Sequence, residues 1–220
     1  MPKILIVSAT KQEIEPFLKA FDIDVKGNIG FYTSPSHPGL AVLITGVGMV
    51  NTAHFIGRYF LSAFNFTINI GICGAFNKNI KLGEVVNVVE DCLSEMGAED
   101  GNEFIKYADL NLGGTNRFEY RLDDEVDMVD ELKKVKGITV NTVHGNEESI
   151  KRAIKLFNAD VESMEGAAFF RACEHLPGSC IQIRAVSNYI EKRDKSKWDI
   201  PLAIKNLNEF AIKLVEDLRK

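Results

Sequence analysis

Residues 67–93 read TINIGICGAFNKNIKLGEVVNVVEDCL, and the arrangement of the central sheet depends on how this stretch folds. It contains two β-rich runs, TINIGICGAF and GEVVNVVEDCL, with NKNIKL between them and no helical pattern. In an α/β protein a helix ordinarily follows each strand, and here that rhythm breaks. We therefore predict a mixed or strongly bent sheet.

Outside this stretch, strand and helix patterns alternate from end to end, which is typical of a sheet flanked by helices. Apolar runs with strand character cover residues 3–9, 40–45 and 137–143, a short run before Met164, and the run that ends at Ser187 and Asn188. Apolar residues recur at helical spacing over residues 11–21, 49–64, 124–135 and 148–157, after Glu165, and over residues 200–220.

Length and composition favour one ordinary globular domain over residues 1–220. The chain has 26 Lys and Arg against 31 Asp and Glu and no long basic block, which argues against a nucleic-acid partner. The four cysteines show neither CxxC pairs nor Cys/His metal spacing, so we expect reduced thiols, a cytoplasmic protein and no metal. No apolar window approaches the roughly 20 residues that cross a membrane.

Residues 95–125 are polar and rich in glycine, and they are too many for a neutral connection in a compact domain. We predict that they form a functional loop or an interface element.

Four predicted strand ends carry small or polar residues, at 8–10, 45–48, 71–74 and 187–188. Glycine-rich strand ends that lie side by side form a crevice in which backbone N–H groups approach a ligand closely. This crevice is the candidate site. The GVGMVN turn within it lacks the third glycine of a dinucleotide-binding motif, so a tight strand-to-helix turn is favoured over an NAD site.

Glu13 stands on the first turn of the helix that follows the first strand. An acid there often only complements the helix dipole. The functional alternative is a carboxylate that holds and deprotonates an attacking water. Glu15 serves as a comparison, because it points about 200° away on the same helix.

Glu165 lies in VESMEGAAFF, where it enters a helix that is apolar on nearly every face. A carboxylate in such surroundings costs several kcal/mol unless it is paired or hydrogen-bonded. It could simply cap a neighbouring helix, or it could bind the two vicinal hydroxyls of a ribose. Glu162 is predicted to belong to the preceding strand and to have no such role.

Among the four histidines, His144 alone borders the crevice, and none has a neighbour with metal-ligand spacing. Cys73 has no sequence signal for a basic partner, so a small packed side chain is favoured over a nucleophile.

Taken together, these segments resemble the superfamily of purine nucleoside phosphorylases and nucleosidases. The matching residues are SATKQEIEPF, TGVGMVNTA, INIGICGAFN with LGEVVNV, VESMEGAAFF, and IRAVSNYIEKRDKSKW. They span the chain in the family order. The resemblance implies a single-domain, three-layer αβα fold around the mixed, bent sheet, and cleavage of an N-glycosidic bond without a cofactor.

The resemblance also implies roles for individual residues. Glu13 would activate water, Glu165 would hold the ribose hydroxyls, and Asn188 would contact the base. The remaining substrate-binding candidates lie at the same strand ends: Gly71, Cys73, Gly74, Ser163, Met164 and Tyr189.

Asn188 bears on which base is released. Adenine-cleaving members of the family have Asp at this position, whereas a 6-oxopurine offers acceptors at O6 and N7 that an amide N–H can satisfy. A mismatch would leave buried polar groups unpaired at about 1 to 3 kcal/mol each. Asn188 therefore favours hypoxanthine or guanine over adenine.

Phosphate-using relatives carry an Arg in the turn after the first strand, where this chain has SATKQE. An acid in that turn would repel phosphate, so water is the expected nucleophile. Among water-using members, the motifs look most like those of futalosine hydrolases, which release hypoxanthine from futalosine in the alternative menaquinone pathway.

Two alternatives stay open: a methylthioadenosine/S-adenosylhomocysteine nucleosidase that releases adenine, and a non-catalytic nucleoside-binding protein. The family also implies a homodimer in which a loop of one subunit borders the other's site. Residues 95–125 are the candidate for that loop.

Overall fold

A nine-stranded mixed sheet forms the centre of the computed structural model, which describes residues 1–59, 63–123 and 125–220. The strands, including those of a separate hairpin, are β1 Ile4–Ser8, β2 Gly30–Thr33, β3 Leu40–Ile44, β4 Phe66–Ala75, β5 Val85–Leu93, β6 Gly97–Asp100, β7 Glu103–Lys106, β8 Arg117–Glu119, β9 Lys133–Thr139, β10 Val161–Ser163 and β11 Ser179–Tyr189. The helices are α1 Glu15–Ala20, α2 Met49–Arg58, α3 Asp127–Asp130, α4 Glu147–Phe157, α5 Gly166–Cys173 and α6 Ile200–Leu218.

The predicted break in the βα rhythm is confirmed. The two β-rich runs of residues 67–93 become β4 and β5, which lie on opposite sides of β11. Strand β11 is parallel to β4 and antiparallel to β5, so the sheet is mixed.

The sheet bends until part of it closes on itself. Its main order is β10-β9-β5-β11-β4-β1-β3-β2, and β10 also pairs with β4. Five strands, β4, β11, β5, β9 and β10, therefore form a closed ring, from which β1, β3 and β2 extend as an open sheet.

Helices cover both faces of the open part of the sheet, as the three-layer prediction requires. In β1 every residue is buried, which is typical of a central parallel strand with both faces covered. Ile4 and Ile6 pack into a core with α1 and α6, whereas Leu5 and Val7 pack into a second core with α2 and α5. The alternation follows from the two-residue period of a strand.

Two predictions about local structure are wrong. Residues 95–125 do not form one irregular loop, because β6 and β7 pair as a hairpin and β8 pairs with β5. The helix predicted over residues 124–135 is reduced to α3, and the chain enters β9 at Lys133. Pairing of β9 between β5 and β10 overrides the helical spacing of its apolar residues.

The other predicted helices are present with shifted ends. Residues 49–64 contain α2, which ends at Arg58, and positions 60–62 of that prediction lie outside the described residues, as does Asp124. Asn146 caps the N-terminus of α4, and its side chain accepts hydrogen bonds from the backbone N–H groups of Glu148 and Ser149. The helix ends at Asn158 in the left-handed conformation.

Candidate active site

A cleft of about 410 Å³ opens where β1, β4, β10 and β11 end. Most of its walls come from the turn after β1, the last residues of β4, the junction of β10 with α5, and the end of β11. The start of α6 and the segment before it add Trp198, Ile200 and Ile204, and Val47 and residues 143–145 also line the cleft. The cleft thus lies at the carboxyl ends of the parallel strands, where open α/β sheets bind ligands.

Glu13 is fixed in this cleft by three hydrogen bonds to its carboxylate. Oε2 accepts from the backbone N–H of Thr10 at 3.1 Å and from its hydroxyl at 2.8 Å, and Oε1 accepts from the backbone N–H of Ile72 at 3.1 Å. The backbone N–H of Glu13 donates to the Thr10 hydroxyl at 3.3 Å, which completes a capping box. A carboxylate has about four acceptor positions, so Oε1 keeps one for a ligand.

The surroundings of Glu13 raise its pKa above the ordinary value of 4.5. Burial is the main cause, and the negative charge of Glu165 adds to it. The hydrogen bonds from Thr10 and Ile72 and the positive charge of Arg184 act in the opposite direction. A carboxylate with a raised pKa is a better proton acceptor than an ordinary glutamate, provided that it is ionised at the working pH.

Arg184 is fully buried behind Glu13, on β11. Its Nε donates to Oε1 of Gln182 at 3.0 Å, and its Nη2 donates to Oδ1 of Asn69. Gly71 lies between this guanidinium and Glu13: a Cβ there would collide with Nη1 of Arg184 and lie 3.1 Å from Oε1 of Glu13. The missing side chain lets the cation lie close behind the carboxylate.

Glu165 occupies the position just before α5 and is buried. Its Oε1 accepts from the backbone N–H of Gly48, 3.0 Å away, at the start of α2. One oxygen of Glu165 therefore caps the neighbouring helix α2, which is one of the two roles that the sequence left open. No residue in the described ranges donates a hydrogen bond to Oε2, and the side chain lines the cleft.

Asn188 follows a β-bulge. The register between β11 and β4 shifts between Val186 and Asn188, so Ser187 is the extra residue and Asn188 pairs with Gly74. The Ser187 hydroxyl lies 2.8 Å from Oδ1 of Asn188 and 3.1 Å from the carbonyl oxygen of Cys73. Nδ2 of Asn188 donates to the carbonyl oxygen of Tyr189 at 3.1 Å, which leaves its second N–H for a ligand.

A buried polar chain connects Arg184 with the start of α5. Gln182 accepts from Arg184 and donates through Nε2 to Oδ2 of Asp91 at 3.0 Å. Oδ1 of Asp91 accepts from the Thr139 hydroxyl at 2.9 Å, and that hydroxyl accepts from the backbone N–H of Ala167 at 2.7 Å. Burial raises the pKa of Asp91 to about 6. This series of hydrogen bonds joins β11, which carries Arg184 behind Glu13, to α5, which begins after Glu165.

The family called the Phosphorylase superfamily matches residues 3–218, almost the whole chain. The chain belongs to this superfamily. Among curated relatives it is 31% identical over 185 residues to futalosine hydrolase of Thermus thermophilus, which covers 81% of this chain and 82% of the relative. It is 25% identical over 244 residues to aminodeoxyfutalosine nucleosidase of Campylobacter jejuni, covering 99% and 100%.

Solved structures of the superfamily share the fold at low identity. Futalosine hydrolase of Helicobacter pylori superposes with a TM-score of 0.83 at 17% identity, over 98% of both chains. The Helicobacter pylori 5′-methylthioadenosine/S-adenosylhomocysteine nucleosidase in complex with butyl-thio-DADMe-Immucillin-A superposes with a TM-score of 0.81 at 17% identity, over 99% of both chains. The mixed, bent three-layer architecture predicted from the sequence is therefore confirmed.

Eight of the nine predicted site residues line the cleft together: Glu13, Cys73, Gly74, Ser163, Met164, Glu165, Asn188 and Tyr189. Gly71 does not line it and acts instead as the spacer in front of Arg184. Burial raises the pKa of Cys73 to about 12, so its thiol stays protonated and is unsuited to nucleophilic attack.

The sequence placed Thr10 and Ser187 at strand ends of the predicted crevice but gave neither a role, and it did not indicate Trp198. The signal for Thr10 was present, because TKQE has the spacing of a capping box. Ser187 gave no such signal, since a bulge depends on how two strands pair. Trp198 lines the cleft, and the guanidinium carbon of Arg193 lies 4.9 Å from its ring centroid.

Neither a metal cluster nor a membrane-spanning helix is found among residues 1–59, 63–123 and 125–220. No group of three or more His, Cys, Asp or Glu side chains in these ranges is arranged to hold a metal ion. No helix in the same ranges combines the length and apolarity that a membrane span requires.

Proposed function

We propose that the protein hydrolyses the N-glycosidic bond of a 5′-substituted 6-oxopurine nucleoside, with futalosine as substrate and hypoxanthine as the released base. The observation that carries this proposal is the amide of Asn188 in the cleft, with one N–H left for a ligand. Membership of the superfamily and the nucleosidase names of its relatives support the reaction class.

The choice of base rests on donors and acceptors. Ser187 lies against Oδ1 of Asn188 and Tyr189 accepts from Nδ2, so the amide has a preferred orientation. The remaining N–H suits a partner that accepts, and O6 of hypoxanthine is such an acceptor. N7 accepts in both hypoxanthine and adenine, so the choice between them rests on the group at position 6. The amino group of adenine is a donor and gains nothing from this N–H.

Glu13 is the proposed base. A water bound at Oε1 gives its proton to the carboxylate while its oxygen attacks C1′ of the sugar. The bond between C1′ and N9 breaks, and its electron pair leaves with the base. A hydrogen bond from Asn188 to O6 or N7 stabilises the negative charge that spreads over the departing purine.

Glu165 is the proposed ribose ligand. Its Oε2 is available in the cleft, and Oε1 already accepts from Gly48. A carboxylate at the sugar accepts from vicinal hydroxyls and also places negative charge close to the positive charge that develops on the ring. Both effects favour bond breaking.

Water rather than phosphate is the proposed nucleophile. The turn after β1 presents the carboxylate of Glu13, which repels an anion. Arg184, the buried cation nearest to it, is engaged by Gln182 and Asn69. The arrangement suits a neutral nucleophile that needs deprotonation.

The test is a base-release assay. The protein is incubated with futalosine, 6-amino-6-deoxyfutalosine, inosine and methylthioadenosine, each with and without phosphate, and the released bases are separated and identified. We expect hypoxanthine from futalosine at a rate that phosphate does not change. Release of adenine from the amino nucleosides with futalosine untouched would contradict the proposal, and strict dependence on phosphate would contradict hydrolysis.

The proposal includes a homodimer, as the resemblance implies, and a location in the cytoplasm, as expected from the cysteine pattern. Two exposed apolar side chains flank the β6–β7 hairpin and suit a subunit interface: Met96 lies just before β6, and Leu112 lies in the segment after β7. Sedimentation equilibrium checks the stoichiometry, and a monomer at micromolar concentration would contradict it.

A further inference from the structure

Glu162 is a buried carboxylate that the proposed reaction does not use. Only 4% of this residue is exposed, and it lies on β10 beside the cleft. Burying a carboxylate is costly unless hydrogen bonds compensate. In the described ranges both of its oxygens are bound by one residue: Oε1 accepts from the backbone N–H of His144 at 2.9 Å, and Oε2 contacts Nδ1 of the same residue.

These contacts fix the imidazole of His144. Because the Glu162 carboxylate only accepts, Nδ1 of a neutral ring carries the proton and Nε2 presents a lone pair. The ring also packs against Phe76, with centroids 6.0 Å apart and an interplanar angle of 62°. Its side chain is 18% exposed and lines the cleft, and Nε2 has no hydrogen-bond partner among the described residues.

Strand register relates this ring to Asn188. Gly74 of β4 pairs with Glu162 on one side and with Asn188 on the other. The three residues form one row across three strands, about 10 Å from end to end at the usual strand spacing. A Cβ on Gly74 would lie 3.2 Å from Nδ2 of Asn188 and 2.9 Å from Ile190. Glycine at this position therefore leaves the space over the middle of the row free of a side chain.

We propose that His144 is a specificity-determining residue whose Nε2 accepts the N1–H of the 6-oxopurine. This inference rests on the proposed function. A purine that lies over Gly74 meets a donor at Asn188 and an acceptor at His144. Hypoxanthine matches both, with acceptors at O6 and N7 and a donor at N1. Adenine keeps the acceptor at N7, but its 6-amino group is a donor that gains nothing from Asn188, and its N1 is an acceptor that faces the lone pair of Nε2.

The experiment compares two substrates in one preparation. The kcat/KM for futalosine divided by that for 6-amino-6-deoxyfutalosine is measured for the wild type and for His144→Phe. Phenylalanine keeps an aromatic ring against Phe76 and removes the acceptor. We expect the ratio to fall by about 10-fold or more. A ratio does not depend on the fraction of folded enzyme, so partial misfolding does not affect it.

A second variant tests the tautomer while keeping the ring. In Glu162→Gln the amide supplies a donor as well as an acceptor, so it no longer holds the proton of His144 on Nδ1. We expect the ratio to fall in this variant also. The matched control is His175→Phe, at an exposed histidine outside the cleft, which should leave the ratio unchanged.

The outcomes separate the inference from the proposed function. If the wild type prefers futalosine and His144→Phe and Glu162→Gln both keep that preference within about two-fold, the inference is wrong and the proposed function stands. If the wild type does not release hypoxanthine from futalosine, the proposed function fails and the inference fails with it.

Discussion

Thr10 and Glu13 bind each other reciprocally at the entrance to α1. The threonine donates to the carboxylate through its backbone N–H and its hydroxyl, and the hydroxyl accepts from the backbone N–H of the glutamate. The same contacts that cap the helical turn at Gln12–Ile14, just before α1, therefore orient the proposed catalytic base and lower its pKa against the effect of burial.

Replacing the base itself should abolish turnover. Glu13→Gln keeps an oxygen for Thr10 or Ile72 but cannot take a proton, so we expect kcat to fall by about 10²-fold or more with the fold intact. Hypoxanthine release and circular dichroism are the measurements. Glu15→Gln, at an exposed position on α1, is the matched control and should behave as the wild type. Normal activity of Glu13→Gln would exclude the role.

The pH profile should respond to Thr10. Its hydrogen bond lowers the pKa of Glu13, so Thr10→Val should raise that pKa further. The base works only when ionised, and the acidic limb of kcat/KM should therefore move to higher pH. Profiles between pH 4 and 9 measure this shift. Thr10→Ser retains the hydroxyl and should keep the wild-type limb; an unshifted limb in Thr10→Val would argue that Glu13 does not control it.

Glu165, the proposed ribose ligand, should contribute to turnover through its negative charge. Glu165→Gln still accepts from Gly48 through its amide oxygen, so α2 and α5 should stay in place. Loss of the negative charge near the sugar should lower kcat by about 10²-fold. The exposed Glu148→Gln is the control. Unchanged turnover with a changed melting temperature would mean that Glu165 only caps a helix.

Base preference should change with one side chain. Asn188→Asp replaces a donor by an acceptor. The kcat/KM for futalosine should therefore fall by about 10-fold or more, while the kcat/KM for 6-amino-6-deoxyfutalosine stays the same or rises. Paired kcat/KM values measure the change. Asn102→Asp makes the same substitution on an exposed turn and should have no effect. Equal losses for both nucleosides would refute a role in base choice.

The free energy of unfolding should depend on pH through Asp91, which lies in the buried series of hydrogen bonds between Arg184 and α5. Its folded pKa of about 6 exceeds the ordinary 3.8, so between these values the folded protein holds a proton that the unfolded chain has lost. The contribution of Asp91 to the free energy of unfolding therefore falls as pH rises through this window, by about 3 kcal/mol at most. Urea unfolding of the wild type and Asp91→Asn at pH 4 and 7 should show this fall only in the wild type. Equal pH dependence in both proteins would contradict it.

Much of the fold follows from local patterns. The continuous apolar run of β1 and the helical spacing of α6 are properties of short segments, and both are where the sequence predicts them. The start of β9, at residues 133–135, was assigned to a helix because the apolar residues of 124–135 fit helical spacing, and only pairing with β5 and β10 decides between the two. Pairing of distant segments cannot be read from one sequence.

The candidate site divides in the same way. Glu13, Glu165 and Asn188 stand beside recognisable motifs, and the structure brings them to one cleft. Glu162 on β10 contacts His144, which lies 18 positions earlier in the loop after β9. No sequence motif has this spacing, so the contact could not be predicted. The sequence therefore placed His144 at the border of the crevice without a partner and gave Glu162 no role.

The closed ring of strands constrains how this cleft can change. Within the ring, sliding β11 by one residue against β4 would require the neighbouring ladders to re-register as well, so the backbone positions of Asn188, Gly74 and Glu162 are locked relative to one another. A change of base preference can therefore arise by replacing the side chain of Asn188 or His144 alone. It does not require the sheet to rearrange.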